Sequence, residues 1–175
     1  MNSIRGLLCA AILSAFSCAP CTAQTGTVTF YTPGNSAKST AAGLLPRSRQ
    51  PFTGWLFDGS QRLAHVQAGR VITLHLTPGA HSFTVHWSPK HAGKNSLALT
   101  IESDSRHCIK LYAIMTNFEV IPFQRVNSQM EEVPCEQAAA EAAHLKPIDL
   151  KRVDPSVQSE VDSGPAFPVE NSPHQ

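Results

Sequence analysis

Residues 70–87 read RVITLHL TPGA HSFTVHW, from Arg70 to Trp87. Both seven-residue runs alternate apolar and polar side chains, the period of an extended chain with one covered face. Thr77-Pro78-Gly79-Ala80 between them carries turn chemistry. Read as a hairpin with a four-residue loop, Leu76 opposes His81, Leu74 opposes Phe83 and Ile72 opposes Val85. That register gathers Ile72, Leu74, Leu76, Phe83, Val85 and Trp87 on one face. Val71, Thr73, His75, Ser82, Thr84 and His86 take the other. One apolar and one mostly polar face predicts an antiparallel sheet that is wet on one side.

The pattern extends outward in both directions. Upstream, Thr27 to Thr32 alternates with Val28 and Phe30 on one face, and Pro33-Gly34 ends it. Residues 33–51 show neither period and read as a long loop. Phe52 to Phe57 places Trp55 and Phe57 together, Asp58-Gly59 is a turn, and Arg62 to Val66 is a short strand. Gln67-Ala68-Gly69 is a turn whose glycine is free to take positive φ. Downstream, a polar loop at 88–95 precedes Ser96 to Ile101, with Leu97, Leu99 and Ile101 inward. His107 to Met115 forms a longer strand, and Phe118 to Val126, holding Pro122, is an edge strand or irregular return. The period then changes: 134–146 reads as one helix, with Pro134 first, Glu136 in the first turn, His144 and Lys146 in the last, and Pro147 as its stop. From Val153 the composition turns to Pro, Ser, Asp and Glu, so 151–175 is expected to be a disordered tail.

These elements predict a mainly β protein: an antiparallel β-sandwich of about seven or eight strands with one short C-terminal helix, occupying 24–150. Composition agrees. A 175-residue chain with 42% hydrophobic residues has length and apolar content for one buried core. Fourteen cations against 13 acids leave a net charge of +1, which lacks the strong positive balance of general nucleic-acid binders.

Residues 1–23 read as an export signal. Arg5 precedes an apolar stretch, Gly6 to Phe16, and Cys21-Thr22-Ala23 offers small residues at a cleavage site. The stretch is shorter than the roughly 20 residues a spanning helix needs. An exported chain, periplasmic or extracellular, with no transmembrane span after cleavage is the expectation. Its alternative is a lipid anchor at Cys18, although Phe16 and the distant Leu13 make a poor lipid-attachment signal. Cys18-Ala19-Pro20-Cys21 has redox-pair spacing but lies before the cleavage site, with no βαβ pattern after it. Cys108 and Cys135 remain, and in an oxidising compartment they are expected to pair.

Few residues combine into chemistry. Eight histidines invite a metal site. On the hairpin register, however, His75 and His86 stand about 13 Å apart at about 3.3 Å per residue, too far to share an ion. No metal or cofactor is expected. No G-x-S-x-G turn and no phosphate-cradling glycine loop occurs. Glu131, Glu132 and Glu136 read as negative charge complementing the helix dipole. The chain is therefore expected not to be an enzyme, a hydrolase with a dispersed site being the alternative. The candidate binding surface comprises Lys90 and Lys94 in the loop after Trp87, with His91, Arg47 and Arg49 nearby. Tyr31 and Tyr112 join it from solvent-side positions, where they could stack on sugar or peptide.

One resemblance adds to this. The order Val28-x-Phe30-Tyr31-x-Pro33, then Asp58-Gly59, Leu63-Ala64 and Gly69, then Leu76-x-Pro78-Gly79-x-His81 resembles the bacterial domain-of-unknown-function family twenty-eight forty-six. It is also similar to PEGA-type and carboxypeptidase-regulatory-like β-domains. The resemblance covers roughly 26–126. It implies an exported or lipid-anchored small β-sandwich of the bacterial cell envelope, and its motifs are turn and core residues that supply no catalytic group. Thr32 departs from it, standing where a basic residue is common. The expected role is a non-catalytic envelope domain that binds or positions a protein or polysaccharide, a purely structural surface protein being a further alternative.

Overall fold

A computed structural model describes residues 24–34, 47–90, 95–116, 125–162 and 167. The expected export signal, Cys18, Lys94 and most of the last dozen residues lie outside them. Ten strands form two sheets. They are β1 (Gly26–Thr32), β2 (Arg47–Pro51), β3 (Gly54–Asp58), β4 (Gln61–Val66), β5 (Arg70–Leu76), β6 (Gly79–His86), β7 (Ser96–Ile101), β8 (Arg106–Thr116), β9 (Arg125–Val133) and the two-residue β10 (Lys146–Pro147). Among the described residues one α-helix, α1, spans Cys135–Ala142.

The first sheet runs β10-β5-β1-β8, and β8 is its longest member. On one side β8 pairs β1 through Arg106–Lys110 and β2 through Tyr112–Thr116; its other side pairs β9 through Cys108–Thr116. The second sheet runs β4-β3-β6-β7. Their inner faces share one core, in which Val28, Phe30, Ile72, Leu74, Ile109 and Leu111 meet Leu56, Leu63, Phe83, Val85 and Ile101. Phe30 and Phe83 meet edge to face across the two layers, ring centroids 5.0 Å apart. A mainly β, two-layer architecture is therefore observed.

The stretch that led the sequence reading behaves differently from its expectation. β5 pairs β1 and β10, whereas β6 pairs β3 and β7. The two runs do not form a hairpin; the chain crosses from one sheet to the other at Thr77-Pro78. The inward faces were nevertheless assigned correctly. Ile72, Leu74, Leu76, Phe83 and Val85 are all buried, and only Trp87 is exposed. Alternation reports which side chains are covered, and it is satisfied equally by pairing within a sheet and by packing between two.

Other expectations need correction. The sheets are not wholly antiparallel, because β1·β8 and β10·β5 are parallel. The expected loop 33–51 ends in β2. The helix is shorter than 134–146: Pro134 stands at its N-cap, His144 lies past its end and Lys146 belongs to β10. Glu131 and Glu132 sit on β9, the strand that leads directly into the helix, and only Glu136 lies in its first turn. The expected disordered tail is ordered through 151–162. Val153 and Val157 are buried in the core, and 3-10 turns form at Leu150–Arg152 and Pro155–Glu160.

That last segment closes the seam where β4 and β5, in different sheets, lie side by side. Val153 bridges to Ala64 of β4 and Val161 to Leu74 of β5. The Asp154 amide donates to the Leu63 carbonyl at 2.8 Å, and the Asp162 amide to the Thr73 carbonyl at 3.0 Å. Asp149 and Asp154 cap the two 3-10 turns by accepting from the amides of Lys151 and Ser156. On the outer face of the first sheet, α1 covers a second cluster of Tyr31, Val71, Cys108, Val133, Ala138 and Ala142. Its small alanine side chains let it lie close to the strands, and a Cys108–Cys135 disulfide, with Cα atoms 5.2 Å apart, fastens its first residue to β8.

Candidate functional site

The expected binding residues separate. Tyr31 is 0% exposed and Tyr112 is 9% exposed. Both stand on the face of the first sheet that the sequence reading gave to solvent. For Tyr31 that face is occupied by α1, so it cannot stack on an external ligand. Its hydroxyl donates to Glu141 Oε2 at 2.9 Å, and the Lys110 ammonium donates to the same oxygen at 2.5 Å. Gln137 Nε2 donates to the other oxygen at 2.8 Å. Burial and the Glu141 hydrogen bond push the Tyr31 hydroxyl far above its ordinary value, so it stays protonated as a donor. Burial opposes the Glu141 charge, but the bonds from Gln137, Lys110 and Tyr31 outweigh it and hold its carboxyl below the usual range. This network braces the helix against β1 and β8.

Lys90 remains on the surface, three residues after the exposed Trp87. Trp87 follows β6 and is 44% exposed. Its ring lies 5.0 Å from that of Phe52, which is wholly buried. Several residues hold that floor. Thr32 Oγ1 lies 3.2 Å from the carbonyls of both Phe52 and Gln67, and shares its proton between them. Gly54 leaves room for the Phe52 ring: a Cβ there would stand 2.5 Å from Phe52 Cζ and 2.7 Å from the His86 carbonyl. The Lys90 amide donates to Ser88 Oγ at 3.2 Å, turning the chain just past the indole. The arrangement is an aromatic shelf at the strand ends, with the exposed Lys90 three residues along the chain from the indole. The sequence reading counted Trp87 as core; its position after the last ladder residue of β6 was the signal that it could emerge.

A second aromatic group lies on the outer face of the other sheet. The Trp55 ring packs against His65 at 4.7 Å, and the Arg62 guanidinium lies 4.9 Å from its centroid. Arg62 also donates to Asp154 Oδ2 at 2.8 and 3.0 Å, and Arg152 Nη1 donates to His65 Nδ1 at 3.0 Å. Burial and the Arg152 charge lower the His65 pKa, which keeps that ring neutral.

Three histidine–carboxylate pairs lie away from the Trp87 shelf, the loosest being His75 Nε2 at 3.7 Å from Asp162 Oδ2. His81 Nδ1 donates to Asp58 Oδ2 at 2.6 Å, and its Nε2 donates to the Thr77 carbonyl at 3.0 Å. Burial disfavours the charged ring, yet the bonds to Asp58 and Thr77, with attraction to Asp58 and Glu160, outweigh it and raise the His81 pKa. With acceptors on both nitrogens, His81 is built to be an imidazolium that ties the Asp58-Gly59 turn to the sheet crossing. His107 Nδ1 lies 2.7 Å from Glu132 Oε1, and its buried Nε2 has no hydrogen-bond partner among the described residues. Among the described residues no three His, Cys, Asp or Glu side chains gather as a metal-ligand set.

Comparison of the chain with known protein families, curated proteins and solved structures finds no match. Of the motif residues behind the family resemblance, Val28, Phe30, Leu63, Ala64 and Leu76 are buried on strands and the glycines take up turn or crossing positions. Gly59 and Gly69 adopt φ of 54° and 72°, and Pro78-Gly79 marks the sheet crossing.

Proposed function

We propose that this chain is an exported, non-catalytic cell-envelope domain that binds a protein or polysaccharide at the Trp87 shelf. The observation that carries the reading is a large indole, 44% exposed, seated on a buried ring. An exposed aromatic plane suits stacking on a sugar ring or an apolar peptide side chain, and the exposed Lys90 three residues on suits acidic groups on either ligand. The Cys108–Cys135 disulfide supports export, since such bonds persist in oxidising compartments. The resemblance to bacterial envelope β-domains points the same way, and the apolar run Gly6–Phe16 supplies the route.

The test is retention of the exported protein on an insoluble envelope fraction, with Trp87→Ala in parallel. The variant should lose at least tenfold in retention while keeping its far-ultraviolet spectrum. Equal retention of both proteins would overturn the shelf as the binding surface. Protease treatment of the envelope fraction separates a protein partner from a polysaccharide. Intact mass of the exported product should fit a chain beginning at Gln24; a lipid-sized increment on Cys18 would replace soluble export with anchoring.

A further inference from the structure

Sheet edges present unpaired backbone groups, and proteins guard them with charge, proline, bulges or a covering segment. Here β5 is covered by β10 and by Val161–Asp162, and β4 by Val153–Asp154. β2 reads RSRQP, with two cations and a proline. β9 carries Glu131 and Glu132, and its Ser128 is bonded to Val85 and Asn95. Among the described residues β7 has none of these protections. Ser96-Leu97-Ala98-Leu99-Thr100-Ile101 is uncharged and proline-free, and its register against β6 runs without a break.

The direction of its backbone groups follows from β6. The Ser82 amide donates to Asp58 Oδ1 at 3.0 Å and the Ser82 carbonyl accepts from the Gly59 amide at 2.8 Å, so both groups of Ser82 turn toward β3. Backbone groups alternate sides along a strand, so those of His81 and Phe83 turn toward β7, where Leu99 and Leu97 are their partners. Ser96, Ala98 and Thr100 therefore aim their amides and carbonyls away from β6. Among the described residues no strand pairs with that side.

We propose that β7 is a homodimer interface, pairing antiparallel with β7 of a second copy about a two-fold axis at Ala98. The occupant is chosen by the sequence of the edge itself. Ser-Leu-Ala-Leu-Thr reads nearly the same in both directions about Ala98. Ala98 meets Ala98 of the second copy, Ser96 meets Thr100, and Leu97 meets Leu99. All three outward-aimed residues then fall on hydrogen-bonded positions of the new ladder. The half-buried leucines cover one another on the core side, and small side chains meet on the other. An isologous contact of this kind closes on itself and does not propagate.

The experiment is light scattering of the intact exported protein over a hundredfold concentration range, with Ala98→Lys and Ala98→Pro. Lysine places like charges directly opposite each other at the axis. Proline removes an amide that makes no bond to β6, so it spares the monomer's own ladder. Wild type should reach twice the monomer mass, and both variants should stay at monomer mass with an unchanged far-ultraviolet spectrum. A wild type that remains monomeric throughout, or a dimer that survives both substitutions, overturns the proposal. If one variant fails to fold, the other decides.

Discussion

His81 shows how a single side chain makes stability depend on pH. Its folded pKa is raised above the ordinary value of 6.5 by Asp58 and Thr77 against the opposing effect of burial. A raised base contributes stability that is fully present below the unfolded pKa and lost as pH rises through the folded one. Glu160 adds to this in the same direction. Burial and the Asp58 charge raise its carboxyl above 4.5, so its ionisation also favours the unfolded chain. The melting temperature should therefore fall as pH climbs, through the Glu160 contribution above 4.5 and the His81 contribution above 6.5, and His81→Gln should flatten the slope above 6.5. An equal slope in the variant would show that the imidazolium is not the group being read. Tyr31 makes a complementary prediction. Tyr31→Phe deletes the donor to Glu141 but leaves Lys110 and Gln137 in place. It should cost about 1 kcal/mol in urea unfolding. A loss of several kcal/mol would mean that Glu141 cannot re-solvate.

At the scale of elements, the seam-closing segment 150–162 carries more than its composition suggests. Val153 and Val157 are buried against the core although their neighbours are polar and exposed. Val157→Ala should cost roughly 2 kcal/mol in chemical denaturation. Ser159→Ala, at an exposed position two residues on, should change stability by less than about 0.5 kcal/mol. Similar effects at both positions would show that the segment is not docked. This element also marks where sequence reading fails. Its apolar residues are spaced for 3-10 turns and single bridges, which lack both the helical and the strand period. β9 was missed for a related reason. RVNSQMEEV has an isolated core residue, Met130, in a polar run, because only part of one face meets the core. Strands with one fully covered face, such as β1 and β5, were legible because alternation survives intact there. Pairing partners were not, since alternation carries no information about which strand lies alongside.

For the whole molecule, the disulfide is the covalent tie between the helix and the sheet it covers. Replacing both Cys108 and Cys135 with serine should lower stability by about 3–4 kcal/mol on the chain-entropy account of a 27-residue separation. The two-layer core should persist, because none of its residues belongs to the helix. Thiol titration of the unfolded, unreduced protein should find neither cysteine reactive. The pairing was legible from cysteine number and compartment, whereas the candidate site was not: Tyr31 went under the helix, and Trp87 emerged from the row that was expected to bury it. The parallel pairing of β1 with β8 has one more consequence. Thr27 sits beside Arg106. The opening strand thus has no neighbour on that side until some eighty further residues have been made. A chain emerging N-terminus first must hold β1 in waiting, so its slowest assembly step should track the arrival of β8, and stalling synthesis before that point should leave the nascent chain sensitive to protease.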